Sequence, residues 1–253
     1  MPTALVTGAT AGIGARFAHH LAGRGYDLVL VARDEERLGR SAAIHRAGTG
    51  VAVEVLPADL ATEDGIAAVE RRVARGVDLV VNNAGFGQQG DFLGSEIDEE
   101  VAMLKVHCEA VLRITRAALP PMLERRAGGV VNVASVAAFF SRGTYSASKA
   151  WVVTFSDSVR QQISGGGVHV MALCPGWVRT EFHERSGMDT SGIPAFLWLD
   201  PDRLVTAALR DLRRGVAVSV PGLPYKVVIG LAKILPRRLT TRLSARTGSR
   251  HDH

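Results

Sequence analysis

Tyr145 and Lys149 are four positions apart, so on a helix they stand one turn from each other on a shared face. A phenol with its ordinary pKa of about 10 is a poor acid or base at neutral pH, but a nearby ammonium favours the phenolate and lowers it. Each pKa unit of such tuning needs about 1.4 kcal/mol. The pair therefore reads as a proton-handling group. A second set is Thr7-Gly8-Ala9-Thr10-Ala11-Gly12-Ile13-Gly14. Here Gly8, Gly12 and Gly14 let a backbone turn tightly and bring a helix N-terminus to a pyrophosphate, with Thr10, Ala11 and Ile13 lining the same turn. No Gly-Lys-Ser/Thr follows, which argues against a triphosphate-binding P-loop. Third, the apolar run 28–31 ends in Ala32-Arg33-Asp34. An acid at that place would read a ribose 2′-hydroxyl and a cation a 2′-phosphate, so neutral Ala32 followed by Arg33 favours the phosphate, with Arg37 placed to assist. Asp34 reads as the cap of the next helix.

These residues need elements to hold them. Short runs rich in Val, Leu and Ile at 3–7, 28–32, 51–56, 79–81, 130–133, 168–173 and 216–220 read as seven strands buried on both faces. Between them, helical spacing over 14–23, 34–47, 62–75, 98–126, 145–163 and 201–214 supplies the crossovers that parallel strands require. Thr62 and Asp200 are placed as helix caps, and Pro201 at a first helical position. The expected fold is α/β, a single doubly wound Rossmann-type domain over 1–221 with a seven-stranded parallel sheet flanked by helices. Its ligand site lies beyond the carboxyl ends of the strands, where all three chemical sets fall.

Composition removes other classes. No run approaches a membrane span, and Met1-Pro2-Thr3-Ala4 lacks a signal-peptide pattern, so a cytoplasmic location is expected. Cys108 and Cys174 cannot build a disulfide framework, and no Cys/His cluster has metal-ligand spacing, so no metal is expected. The net charge of +5 is unevenly placed. Residues 222–253 carry seven Lys/Arg against Asp252, a net +6, which leaves 1–221 at −1. A nucleic-acid binder would wear its charge over the domain, so nucleic acid is not expected as a partner. The tail reads as a basic amphipathic appendage of two short helices flanking Pro236. Its cationic faces can rest on the body, at a subunit contact, on an anionic membrane surface or on an acidic partner.

The glycine turn, Asn82-Asn83-Ala84-Gly85 after the fourth strand, Ser135 after the fifth, Tyr145-Ser146-Ala147-Ser148-Lys149, and Pro175-Gly176 after the sixth stand in the order found in the classical short-chain dehydrogenase/reductase family, which the chain resembles closely from about 4 to 180. The resemblance implies that Tyr145 protonates a carbonyl oxygen during reduction, that Lys149 holds the nicotinamide ribose and tunes Tyr145, and that Ser135 hydrogen-bonds the substrate oxygen. It also implies that Asp59-Leu60 flank the adenine, that Asn83, Ala84 and Gly85 meet the cofactor's centre, and that Pro175, Gly176, Val178 and Thr180 belong to the cofactor site, with Thr180 contacting the carboxamide of the nicotinamide.

Two departures stand out. Ser135 and Tyr145 are only ten positions apart, which calls for a tight connection and leaves Ser141 as an alternative to Ser135. Where the family usually carries an asparagine that orders a water linking the lysine to solvent, this chain has His107. An imidazole there can order the same water, exchange protons itself, or make one structural bond. Residues 179–200 occupy the family's substrate loop. Phe139, Phe140, Phe182, Phe196 and Trp198 suit an apolar carbonyl compound or equally ordinary packing. The expectation is thus an NADP(H)-dependent oxidoreductase moving hydride between nicotinamide and the carbon of a ketone or secondary alcohol, assembled as a homodimer or homotetramer. The alternative is a dinucleotide-binding sensor or partner-recruiting protein with weak or lost catalysis.

Overall fold

The computed structural model describes residues 1–87, 92–141, 143–181, 190 and 192–234. Seven parallel strands form one sheet in the order β3-β2-β1-β4-β5-β6-β7. They are β1 (Thr3–Thr7), β2 (Asp27–Ala32), β3 (Val53–Pro57), β4 (Leu79–Asn82), β5 (Gly128–Val133), β6 (Val168–Leu173) and β7 (Val218–Ser219). The strand order reverses between β1 and β4, and a crevice opens at such a switch point because the flanking connections leave in opposite directions. The expected sheet is present, its last strand shortened to two residues, Val218 and Ser219, paired with Ala172 and Leu173 of β6.

One face of the sheet is covered by α1 (Gly12–Ala22), α2 (Glu35–Thr49) and α7 (Pro201–Arg213), which bury Phe17, Leu21, Leu38, Val205 and Leu209 with the inward side chains of the strands. The other is covered by α3 (Glu63–Ala74) and α5 (Ala110–Glu124), through Ile66, Val69, Ile114 and Met122, with α6 (Gly143–Gln162) beside them. Asp34, Thr62 and Asp200 cap α2, α3 and α7 by accepting the N–H of Arg37, Gly65 and Arg203. Gly65 does more than weaken its helix. A Cβ there would lie 1.9 Å from the carbonyl oxygen of Asp59, so the start of α3 docks on that turn only as glycine.

The long helix expected at 98–126 is broken. It runs as α4 (Ile97–Leu104), one π turn (Lys105–Glu109) and then α5. A π turn inserts a residue into the helical spacing and re-aims what lies on it, and such turns concentrate at functional sites. Here it carries His107, which is fully buried. The last described helix, α8 (Leu223–Ile234), packs back on the body through Tyr225 and Ile229. The second helix expected in the basic tail lies outside the described residues. Among the described residues, no helix is long and apolar enough to cross a membrane, and no group of His, Cys, Asp and Glu is disposed to hold a metal ion.

Candidate active site

The switch point is stitched by side chains from both strands. Thr7 Oγ1 accepts the backbone N–H groups of Asn83 and Ala84, each at 2.9 Å, and Asn83 Nδ2 donates to the carbonyls of Thr7 (2.9 Å) and Gly8 (3.3 Å). Asn83 therefore serves the frame of the crevice. Below it, Asn82 Nδ2 donates to Asn132 Oδ1 at 2.8 Å, and Asn132 Nδ2 to Ser156 Oγ at 3.0 Å, a buried chain that registers β4, β5 and α6 beneath the site.

The glycine turn is a cradle closed to any larger residue. A Cβ on Gly8, which has φ +65°, would approach Asn83 Nδ2 to 2.8 Å; one on Gly14 would lie 2.2 Å from the Gly8 carbonyl oxygen. Gly12 faces Thr180, whose Cβ is 3.2 Å from where its own would be. The loop after β6 thus reaches the turn after β1. Ala11, the residue before α1, offers no side-chain acceptor, so the first N–H groups of that helix keep their capacity for an anion. These features fit a dinucleotide pyrophosphate. Asp59 shapes its own turn, Oδ1 accepting the N–H of Ala61 at 2.9 Å, and Leu60 is buried. Arg33 is exposed at the end of β2 without a partner among the described residues.

On the other side of the crevice, Ser135 and Tyr145 meet in a hydrogen bond. Ser135 also accepts the N–H of Ala137 at 3.1 Å, opening a one-turn 3-10 helix (Val136–Phe139) that makes the short connection to α6 possible. Ser141 is exposed. The phenol of Tyr145 lies at about 12, pushed up by its burial and held back by Ser135. This is opposite to the lowering expected from Lys149. The Lys149 Nζ lies 5.8 Å from the centre of the Tyr145 ring and donates to the Val133 carbonyl at 3.1 Å. Burial brings Lys149 itself down to about 8.

His107 joins the two halves. Its Nε2 accepts the N–H of Phe86 at 3.2 Å, and its Nδ1 lies 2.9 Å from Ser148 Oγ. Ser148 Oγ donates its one proton to the Tyr145 carbonyl at 2.8 Å, so Nδ1–H must be the donor to Ser148, which fixes the neutral tautomer. Burial and then the Lys149 charge hold His107 well below its ordinary pKa. Gly85 completes the corner: a Cβ there would lie 2.8 Å from His107 Nε2 and 3.5 Å from Lys149 Nζ.

The loop after β6 is braced at its base. Val178 and Leu199 form a parallel bridge, and the Leu199 N–H donates to the Trp177 carbonyl at 2.7 Å. Arg179 stacks over Trp198, and Phe196 is exposed. Pro175 and Gly176 precede this brace, and Gly176 is covered by the Tyr225 ring, whose nearest carbon would be 2.0 Å from an added Cβ. Tyr225 Oη accepts the Trp177 N–H at 3.0 Å and donates to the Leu197 carbonyl at 2.6 Å, pinning α8 to the loop. Phe139 and Phe140 are partly buried near α6; Phe182 lies outside the described residues. Ser148 was legible as a residue on the Tyr145–Lys149 face; Tyr225, 49 residues beyond Gly176, had no such signal.

Residues 2–190 match the family described as short chain dehydrogenase. The chain is 33% identical over 184 residues to ketoacyl reductase HetN of Nostoc sp., a match covering 70% of this chain and 63% of that protein, so less than two thirds of that curated relative's length is spanned. A solved short-chain dehydrogenase of Sphingobium yanoikuyae in complex with NADPH superposes with a TM-score of 0.85 at 35% identity, over 100% of this chain and 96% of that one. The bulky-bulky ketone specific alcohol dehydrogenase of Comamonas testosteroni does so with a TM-score of 0.80 at 30% identity, over 100% and 95%. With the crevice, the glycine cradle and the Ser135–Tyr145–Lys149 corner in one place, the chain belongs to the short-chain dehydrogenase family.

Proposed function

We propose that the protein is an NADP(H)-dependent oxidoreductase acting on an apolar ketone or the matching secondary alcohol. One observation carries the reading: a phenol hydrogen-bonded to a serine, with a buried ammonium behind it, at the edge of a glycine cradle. When bound, the nicotinamide supplies or takes the hydride at the substrate carbon. Tyr145, protonated at neutral pH, gives its proton to the substrate oxygen, and Ser135 holds that oxygen in place. Lys149, still charged below about pH 8, favours the phenolate that this transfer leaves and is set to hold the ribose. Gly8, Gly12, Gly14 and the start of α1 would take the pyrophosphate, and Thr180 the nicotinamide end.

Arg33 and the neutral Ala32 support the phosphorylated cofactor, as does the NADPH in the Sphingobium structure. The Comamonas enzyme supports a bulky ketone. A cytoplasmic homo-oligomer is part of the same proposal: Ile97, Val101 and Leu104 line an exposed apolar stripe on α4 that a second copy would cover. Fluorescence titration with NADPH and turnover of hydrophobic ketones test the reading. Tyr145→Phe should retain NADPH binding and lose turnover by about a hundred- to ten-thousand-fold. Full turnover in that variant would remove Tyr145 from the chemistry.

A further inference from the structure

Arg37, in the first turn of α2, is already spoken for. Its Nη2 donates to the Thr10 carbonyl in the glycine turn at 3.2 Å and to both carboxylate oxygens of Glu181 at 3.0 and 3.2 Å. Its backbone N–H is held by Asp34 at 2.9 Å, which anchors it to the end of β2. Glu181 directly follows Thr180, the residue against Gly12. Two cations thus flank the end of β2 where a 2′-phosphate would lie. Arg33 is unpartnered among the described residues, and Arg37 is neutralised by a carboxylate from the opposite loop.

We infer that Glu181 is a specificity-determining residue that weakens discrimination in favour of the 2′-phosphate by holding Arg37 back from it. This rests on the dinucleotide-binding reading above and goes beyond it. A 2′-phosphate would have to share the Arg37 guanidinium with the Glu181 carboxylate already on its Nη2, whereas a 2′-hydroxyl lets the pair stand. The Glu181 charge, on the same guanidinium, also repels an arriving phosphate. Both effects act against the phosphorylated cofactor alone. The side chains of Arg37 and Glu181 are 32% and 46% exposed, so water weakens the pair and the effect is a few-fold rather than orders of magnitude.

The test is a double-mutant cycle read by equilibrium binding of NADPH and NADH to the purified protein. Glu181→Gln should tighten NADPH about two- to fivefold and leave NADH unmoved. The gain should shrink at high salt and vanish in an Arg37→Gln background. Both positions are at the surface, so the variants should fold. An unchanged NADPH affinity, an equal shift for both cofactors, or a gain that persists without Arg37 would overturn the inference while leaving the oxidoreductase reading intact. Failure of the wild type to bind either dinucleotide would overturn both.

Discussion

Replacing Lys149 by methionine should make the protein more stable at neutral pH while abolishing turnover. Burial takes the ammonium from 10.5 to about 8, and at about 1.4 kcal/mol per pKa unit, carrying that charge at pH 7 costs the fold about 3 kcal/mol. Methionine fills a similar volume without the charge, but gives up the bond to the Val133 carbonyl, a loss of about 1 kcal/mol. The balance is a gain of about 2 kcal/mol, or a rise in Tm of about 4–8 °C for a chain of this length. The pH dependence identifies the cause. Between about pH 8 and 10.5 the unfolded chain keeps the lysine proton and the native state does not, so wild-type stability from this group rises across that window. The advantage of Lys149→Met should therefore be full at pH 7 and close to zero by pH 9.5. Calorimetric unfolding of both proteins at the two pH values measures it. A variant less stable at pH 7, or a gain of equal size at both values, would refute the claim that the native fold carries a desolvated charge there.

Two further outcomes follow from the same corner and the braced loop. His107 is held neutral in the native state, so below about pH 6.5 the unfolded chain takes up a proton that the native state refuses, and stability falls as pH drops; in denaturant titrations at pH 7.5 and 5.5, His107→Asn should lose less between the two than wild type, and an equal loss would mean that the ring titrates freely. Gly176→Ala should destabilise by about 1–3 kcal/mol by driving the Tyr225 ring from its seat, and the cost should largely disappear in a Tyr225→Ala background; additive costs would show that the ring does not press on Gly176.

The sheet was legible because parallel strands are buried on both faces and so appear as unbroken apolar runs, such as Leu28-Val29-Leu30-Val31, separated by helical spacing. The π turn was not. Val106 and Val111 carry the apolar pattern through 98–126, and one inserted residue changes the direction of His107 without leaving any gap in that pattern. The packing of α8 was likewise decided by tertiary contacts, through Tyr225 and Ile229, which composition reads only as parts of a basic tail.

The candidate site divides along a similar line. Gly8, Gly14, Ser135, Tyr145 and Lys149, which the fold brings to one crevice, could be singled out in the sequence because chemistry or close approach restricts residue type at fixed places along the chain. Their electrostatics were not found, because a pKa belongs to the whole surroundings. The sequence shows an ammonium four residues from a phenol, and elementary reasoning lowers the phenol; the fold buries both and raises it to about 12. The same holds for His107. Its residue type allowed a water relay, but both ring nitrogens are taken by Phe86 and Ser148, so the imidazole acts here as a tie between the loop after β4 and the Tyr145 helix.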